Sequence, residues 1–362
     1  MNRSAYFASK VLIMVRIILQ TPCAVDYAKI PCMNDNQSVF GGMDGAYAAL
    51  YTPFKKDGSL DEGMVEKLVE HGIDNGLRGF YLTGSTGEGF LLSNDERMRV
   101  YRRAVKAAKG RAKLIAQVAC MSTDDSVALA KAAAKSGVDW VSSVAPVYFG
   151  QCFDAAYDHY KRISSATDLP FMIYSLGADI VPDRDAKFFD LKNVKGLKYT
   201  NYKYWTVQAL RNRLQKEVVF FAGADEQVLS ALATGIFAGC IGTSQNAIPA
   251  HFARICELVR ANDFAAAAKL QAEVVKFVEV LVAKPNGSWH KSIMKYIGLD
   301  CGEGRAPNGR PLSRAELKDL FSRLDKLGFV RRNAVRGTPL AWHFKRREAS
   351  GGGASRKTNG AR

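Results

Sequence analysis

Eight short apolar runs punctuate residues 43–250, and longer stretches with helical periodicity lie between them. The runs are GAYAALY (45–51), GFYLT (79–83), KLIAQVA (113–119), WVSSVAP (140–146), PFMIYS (170–175), VKGLKYT (194–200), EVVFFAG (217–223) and CIGTS (240–244). Runs this short, rich in β-branched and aromatic residues, predict strands. Recurring about every two to three dozen residues, they set the rhythm of strand, crossover helix and parallel strand.

The intervening stretches carry helix signals. Ser93 followed three residues later by Glu96 predicts a capping box in front of RMRVYRRAVKAAK, and the Ser122–Asp125 segment introduces a helix that stops at Gly137. After the eighth run only helical segments remain: PAHFARICELVRA, FAAAAKLQAEVVKFVEVLVA, SWHKSIMKYIG and SRAELKDLFSRLDKLG. The expected fold is therefore α/β, a (β/α)8 TIM barrel over 43–250 with a C-terminal helical extension over 251–330. In such a barrel the active site lies at the C-terminal ends of the strands. A doubly wound open sheet is the alternative, but no G-x-G-x-x-G follows the first run.

Composition narrows the function classes. With 362 residues and 48% hydrophobic content the chain has ample material for a large core. Its seven cysteines are scattered, odd in number and free of C-x-x-C spacing, so neither a disulfide framework nor a zinc site is expected. The net charge of +16 suggests nucleic acid or membrane until it is mapped. Residues 331–362 hold eight of those excess charges and residues 1–42 two, which leaves six for 43–330. Half of the excess thus belongs to a Gly-, Ser- and Arg-rich tail, read as disordered, and no nucleic-acid or membrane partner is expected. Residues 1–42 are basic and acid-free up to Asp26, but Lys10 and Arg16 interrupt any apolar core. They read as an N-terminal extension, either a presequence or a stretch ahead of the true start at Met43, on a cytoplasmic protein.

Strand alternation places the candidate chemistry. In VKGLKYT one face holds Val194, Gly196, Lys198 and Thr200, the other Leu197 and Tyr199. If the second face packs on helices, Lys198 and Thr200 point into the lumen. The same rule turns Phe171 and Ile173 outward and Tyr174 inward, next door on the fifth strand. The second strand leads into GSTGE, where Ser85, Thr86 and backbone N–H groups can grip a carboxylate. The seventh ends in Gly223, Ala224, Asp225 and Glu226, and the eighth in Gly242 and Thr243. An amine, a phenol, a carboxylate grip and two acids thus gather at one mouth. Taken singly, GSTGE also reads as a tight turn, Tyr174 as a buried aromatic, and Asp225 and Glu226 as a helix cap.

In order and spacing, YTPF (51–54), GSTGE (84–88), Tyr174 in FMIY, Lys198 in GLKYT, GADE (223–226) and IGTSQN (241–246) resemble the N-acetylneuraminate lyase and dihydrodipicolinate synthase family. The resemblance covers about residues 43–330 and implies a class I aldolase. Lys198 would form a covalent imine with a 2-keto acid, so neither cofactor nor metal is needed. Ser85 and Thr86 would hold the keto-acid carboxylate, and Tyr174 would relay the proton of the C4 hydroxyl. Tyr148 matches the tyrosine that in relatives reaches the neighbouring subunit's site, and a homo-tetramer is implied. Thr200, Gly223, Asp225, Glu226 and Thr243 match the lyase branch, where they bind sugar-acid hydroxyls. Five departures stand out: Asp179 where synthases carry an arginine, Lys203 where an acid is common, Ser175-Leu176-Gly177 in place of Asn-Ile-Pro, Thr243 for serine, and Ala224 where a bulky residue often sits. An acid at 179 is expected to repel the synthases' substrate. The expected reaction is cleavage of N-acetylneuraminate to pyruvate and N-acetylmannosamine. The alternatives are another 2-keto-3-deoxy sugar acid, dihydrodipicolinate synthesis, or a barrel that binds a keto acid without turnover.

Overall fold

Eight parallel strands follow one another round a closed barrel in a computed structural model that describes residues 41–149 and 152–335. They are β1 (Gly45–Ala49), β2 (Gly79–Leu82), β3 (Lys113–Gln117), β4 (Trp140–Val144), β5 (Phe171–Leu176), β6 (Val194–Thr200), β7 (Val219–Ala222) and β8 (Phe237–Gly242). Closure is made by β1 against β8, with Ala48 opposite Gly242. The crossover helices are α1 (Glu62–Asp74), α2 (Asn94–Ala108), α3 (Thr123–Lys135), α4 (Phe153–Ser164), α5 (Pro182–Asp185), α6 (Tyr204–Arg211), α7 (Val228–Ala233) and α8 (Pro249–Arg260). Three helices follow: α9 (Phe264–Leu281), α10 (Gly287–Tyr296) and α11 (Arg314–Leu327).

Local chemistry explains the boundaries. The Ser93 hydroxyl accepts from Glu96 N–H while the Glu96 carboxylate accepts from Ser93 N–H, so both halves of the expected capping box form at α2. Ser122 caps α3 by accepting from Asp125 N–H, and Gly137 takes φ +88° just beyond the helix end. A second capping box, Ser313 with Glu316, starts α11. Pro249 opens α8, where no backbone N–H is needed.

Alternation along the strands separates two apolar layers. Phe80, Phe171, Ile173, Leu197, Tyr199 and Phe220 pack outward with helix residues such as Val65, Leu68 and Val100. Tyr47, Tyr81, Ile115, Trp140, Met172, Tyr174, Phe221 and Ile241 fill the lumen. The period of two therefore holds where the chemistry sits, with one correction. Val194 lies in the outer layer, not on the face of Lys198, because the β5–β6 register shifts between Phe171 and Met172. The irregularity resets the alternation before Gly196. β8 also begins at Phe237, earlier than its apolar run suggested, and β2 stops before Thr83.

The helical extension is held together by buried contacts of its own. Trp289 is fully buried and donates its indole N–H to Val280 O at 2.9 Å, joining α10 to α9. Truncating such a residue typically costs ~3–5 kcal/mol. Among the described residues no helix is long and apolar enough to cross a membrane. Apart from residues 41–42 and 331–335, the N-terminal extension and the basic tail lie outside the described residues.

Candidate active site

Lys198 stands opposite Tyr174 in the β5–β6 ladder, and only 5% of the lysine is exposed. Its Nζ lies 4.0 Å from the centroid of the Tyr174 ring and 4.5 Å from that of Tyr81. The two rings meet edge to face, centroids 5.9 Å apart. Tyr81 shares a 2.9 Å hydrogen bond with the Ser142 hydroxyl, and burial pushes its phenol well above the usual range, so it stays neutral. A nitrogen between two aromatic faces is held where positive charge on it is attracted by the ring quadrupoles. Sequence reasoning overlooked Tyr81, although the alternation that turns Tyr174 inward also applies to GFYL.

The GSTGE loop is wound tightly above β2. Thr83 takes φ +51° and Glu88 φ +56°, backbone values unusual for residues with side chains and strained for a β-branched one. Thr83 is held there by Tyr101 Oη at 3.0 Å and by donating to Gln117 O at 3.1 Å. Thr52 donates to Gly87 O at 2.6 Å, and a Cβ at Gly89 would come within 1.9 Å of Thr83 O, so only glycine fits. Ser85 is exposed and Thr86 half-buried. The Thr86 and Thr243 hydroxyls share a 2.7 Å hydrogen bond that bridges the ends of β2 and β8.

Beyond Thr243 opens a cleft of about 410 Å3 lined by Thr200, Tyr202, Gly223, Asp225, Glu226 and Thr243, with Val278 and Leu281 of α9 and Val282 just past its end. The two glycines are required by close approach: a Cβ at Gly223 would come within 1.8 Å of Thr200 Oγ1, and one at Gly242 within 1.7 Å of Asp225 Oδ1. Those two oxygens are buried without a hydrogen-bond partner. Asp225 Oδ2 accepts from Ser244 N–H at 2.8 Å, and burial raises its carboxyl to about 6. Glu226 accepts from the Tyr202 hydroxyl at 2.6 Å.

Two of the departures noted in the sequence are one feature in space. Lys203 Nζ contacts Asp179 at 2.5 Å, and Asn201 donates to the other Asp179 oxygen at 3.1 Å. The Lys203 hydrogen bond holds the Asp179 carboxyl below the usual carboxylate range. The acid at 179 is thus countered by a cation, which moderates the expected repulsion.

Lys198, Tyr174, Thr86, Thr200, Gly223, Asp225, Glu226 and Thr243 all lie at the C-terminal ends of β2 and β5–β8, while Tyr148 stands apart. It is 76% exposed on the loop after β4 and packs edge to face on Phe149, which is 70% exposed.

The profile of the dihydrodipicolinate synthetase family matches residues 42–326. The chain is 32% identical over 275 residues to an N-acetylneuraminate lyase of Lactiplantibacillus plantarum, covering 75% of this chain and 94% of that one. It is 34% identical over 260 residues to an N-acetylneuraminate lyase of Escherichia fergusonii, covering 70% and 87%. Among solved structures, N-acetylneuraminate lyase from Mycoplasma synoviae aligns with a TM-score of 0.73 and 29% identity, over 82% of this chain and all (100%) of that one. A dihydrodipicolinate synthase from Bacillus anthracis aligns equally well, TM-score 0.73 and 28% identity, over 78% and 97%. The buried lysine between two phenols at the barrel mouth and these matches agree: the chain belongs to the dihydrodipicolinate synthetase family of class I aldolases, which act on keto acids.

Proposed function

We propose that the protein is a Schiff-base lyase that cleaves N-acetylneuraminate to pyruvate and N-acetylmannosamine. The observation that carries this reading is the cleft of about 410 Å3 at the ends of β6, β7 and β8, two residues beyond Lys198 along β6, which is lined by Thr200, Asn201, Tyr202, Asp225, Glu226 and Thr243. Hydroxyls, an amide and a carboxylate lining one cleft offer both donors and acceptors, the complement that the hydroxyls of an open-chain sugar acid require.

In this reading the neutral amine of Lys198 adds to C2 of the keto acid, and loss of water leaves a protonated imine. Thr86, Ser85 and nearby N–H groups orient the carboxylate. Tyr174 relays the proton away from the C4 hydroxyl while the C3–C4 bonding pair moves into the imine, giving an enamine and a free aldehyde. Protonation at C3 and hydrolysis release pyruvate and restore the amine. The faces of Tyr81 and Tyr174 stabilise the cationic imine. Tyr148 serves a neighbouring subunit's site in a homo-tetramer, a reading supported by its exposure together with Val147 and Phe149.

A second reading, another 2-keto-3-deoxy sugar acid, is favoured by the Tyr202–Glu226 hydrogen bond, which occupies an oxygen that a longer sugar chain would use. Borohydride reduction with pyruvate followed by mass spectrometry tests the imine. An adduct is expected on the wild-type protein and none on Lys198→Ala; an adduct that survives the substitution sinks the assignment. Assaying pyruvate release from N-acetylneuraminate against shorter 2-keto-3-deoxy acids separates the two substrate readings.

A further inference from the structure

We propose that Lys291, on α10 of the helical extension, is a positioning residue for keto-acid binding that acts through Glu88 of the GSTGE loop. Its Nζ lies 2.5 Å from Glu88 Oε1, and the two side chains are 1% and 2% exposed. This pair lies inside the protein and joins the carboxylate-gripping loop to a helix outside the barrel.

The pair is anchored on every side. Lys291 also donates to Glu303 O at 3.2 Å, and its Nζ sits 4.0 Å from the Phe54 ring centroid. Glu88 Oε2 accepts from Arg305 N–H at 2.7 Å. The Arg305 guanidinium stacks on the same Phe54 ring at 4.3 Å, donates to Leu91 O at 2.9 Å and pairs with Glu96 at 2.5 Å. The segment 84–91 is therefore gripped at Glu88 and at Leu91 by residues from one neighbouring stretch of the extension.

Glu88 occupies the left-handed region, a conformation that a non-glycine residue adopts only when its surroundings impose it. Within the loop, Glu88 N–H bonds Ser85 O and Gly89 N–H bonds Gly84 O, both at 3.0 Å. Rotation at residue 88 is thereby transmitted to Ser85 and Thr86, the two side chains assigned to the substrate carboxylate. Removing one member of a buried pair leaves the other charge uncompensated, and the remaining group moves toward water or a new partner. Here that movement would unwind the loop and misplace the grip, leaving Lys198 and Tyr174 on the opposite strands untouched.

The inference rests on the imine at Lys198, and pyruvate is the probe. Pyruvate is titrated against borohydride trapping in the wild type, Lys291→Met, Lys291→Arg and Glu88→Gln, with thermal unfolding measured alongside. The expected result is a half-saturating pyruvate concentration raised about tenfold or more in Lys291→Met and Glu88→Gln. The amount of adduct at saturation should be unchanged, and Lys291→Arg should partly restore the wild-type value. Folded variants whose half-saturation equals that of the wild type, whatever their melting temperature, overturn the inference. So does a loss of adduct at saturation with no change in half-saturation. If Lys291→Met does not fold, Glu88→Gln, nearly isosteric, supplies the same readout. Absence of any adduct on the wild type would show instead that the Lys198 reading itself is wrong, and the inference falls with it.

Discussion

Replacing Asp225 by asparagine is expected to stabilise the protein in alkaline solution while impairing turnover of a sugar acid. Asp225 is 7% exposed; burial, the largest influence, lifts its carboxyl from 3.8 to about 6 against the opposing pull of the Ser244 hydrogen bonds. A pKa raised in the folded state means that the native carboxyl holds its proton where the unfolded chain has lost it. The stability this contributes is complete below about 3.8 and disappears as pH rises through about 6. That interval is equivalent to ~3 kcal/mol, the cost of the charged side chain at pH 8 relative to a neutral one. Asparagine keeps an oxygen for Ser244 N–H but brings an amide N–H2 to a buried position, which costs ~1 kcal/mol or more. The net gain at pH 8 is therefore ~1–2 kcal/mol, a rise in Tm of ~2–3 °C for a folded body of this size. Between pH 8 and pH 4.5 the advantage should shrink by ~2 kcal/mol. Calorimetry of both proteins at the two pH values measures it. An advantage independent of pH, or a variant relatively better at pH 4.5, would refute the assignment of a charge-burial cost to this carboxyl.

Other substitutions address the site directly. Tyr174→Phe should lower kcat by ~10²–10⁴-fold, the usual value of positioned acid–base help, while pyruvate is still trapped on Lys198; equal turnover would remove the phenol from the proton relay. Gly223→Ala forces a methyl group against Thr200 Oγ1, and such overpacking should cost ~1–3 kcal/mol of stability, read by denaturant unfolding, with sugar-acid kcat/KM falling further than pyruvate trapping. Tyr202→Phe frees Glu226 and should change the ratio of kcat/KM between nine-carbon and six-carbon keto acids by about fivefold, the scale of one hydrogen bond; an unchanged ratio would mean the cleft does not read chain length there.

The barrel and its lumen were legible because strand side chains alternate strictly and the runs are short. Lys198, Tyr174 and Thr200 follow from that period alone. Val194 did not, since the register shift ahead of Gly196 leaves no mark in the residue types. Nor does composition reveal that Thr83 leaves the strand in a left-handed conformation, which depends on Tyr101 and Gln117 from other elements. The Asp179–Lys203 pair was visible as two separate oddities and became one feature only when β5 and β6 were laid side by side. Glu88 read as part of a motif, and nothing nearby in the chain names Lys291 as its partner. Tyr148 was legible as a motif residue, but its place outside the lumen reflects the loop after β4 and not the strand pattern.

Closure of β1 against β8 also has a consequence during synthesis. Until Gly242 has left the ribosome, Ala48 has no partner on one side, and the nascent sheet carries an open hydrogen-bonding edge able to recruit other chains. Glu88 waits longer still, because the backbone N–H that completes its shell belongs to a residue 217 positions later. The GSTGE loop thus cannot bury the Glu88 carboxylate at no cost until most of the chain has been made, and through that window the carboxylate keeps its water and the loop stays unfixed.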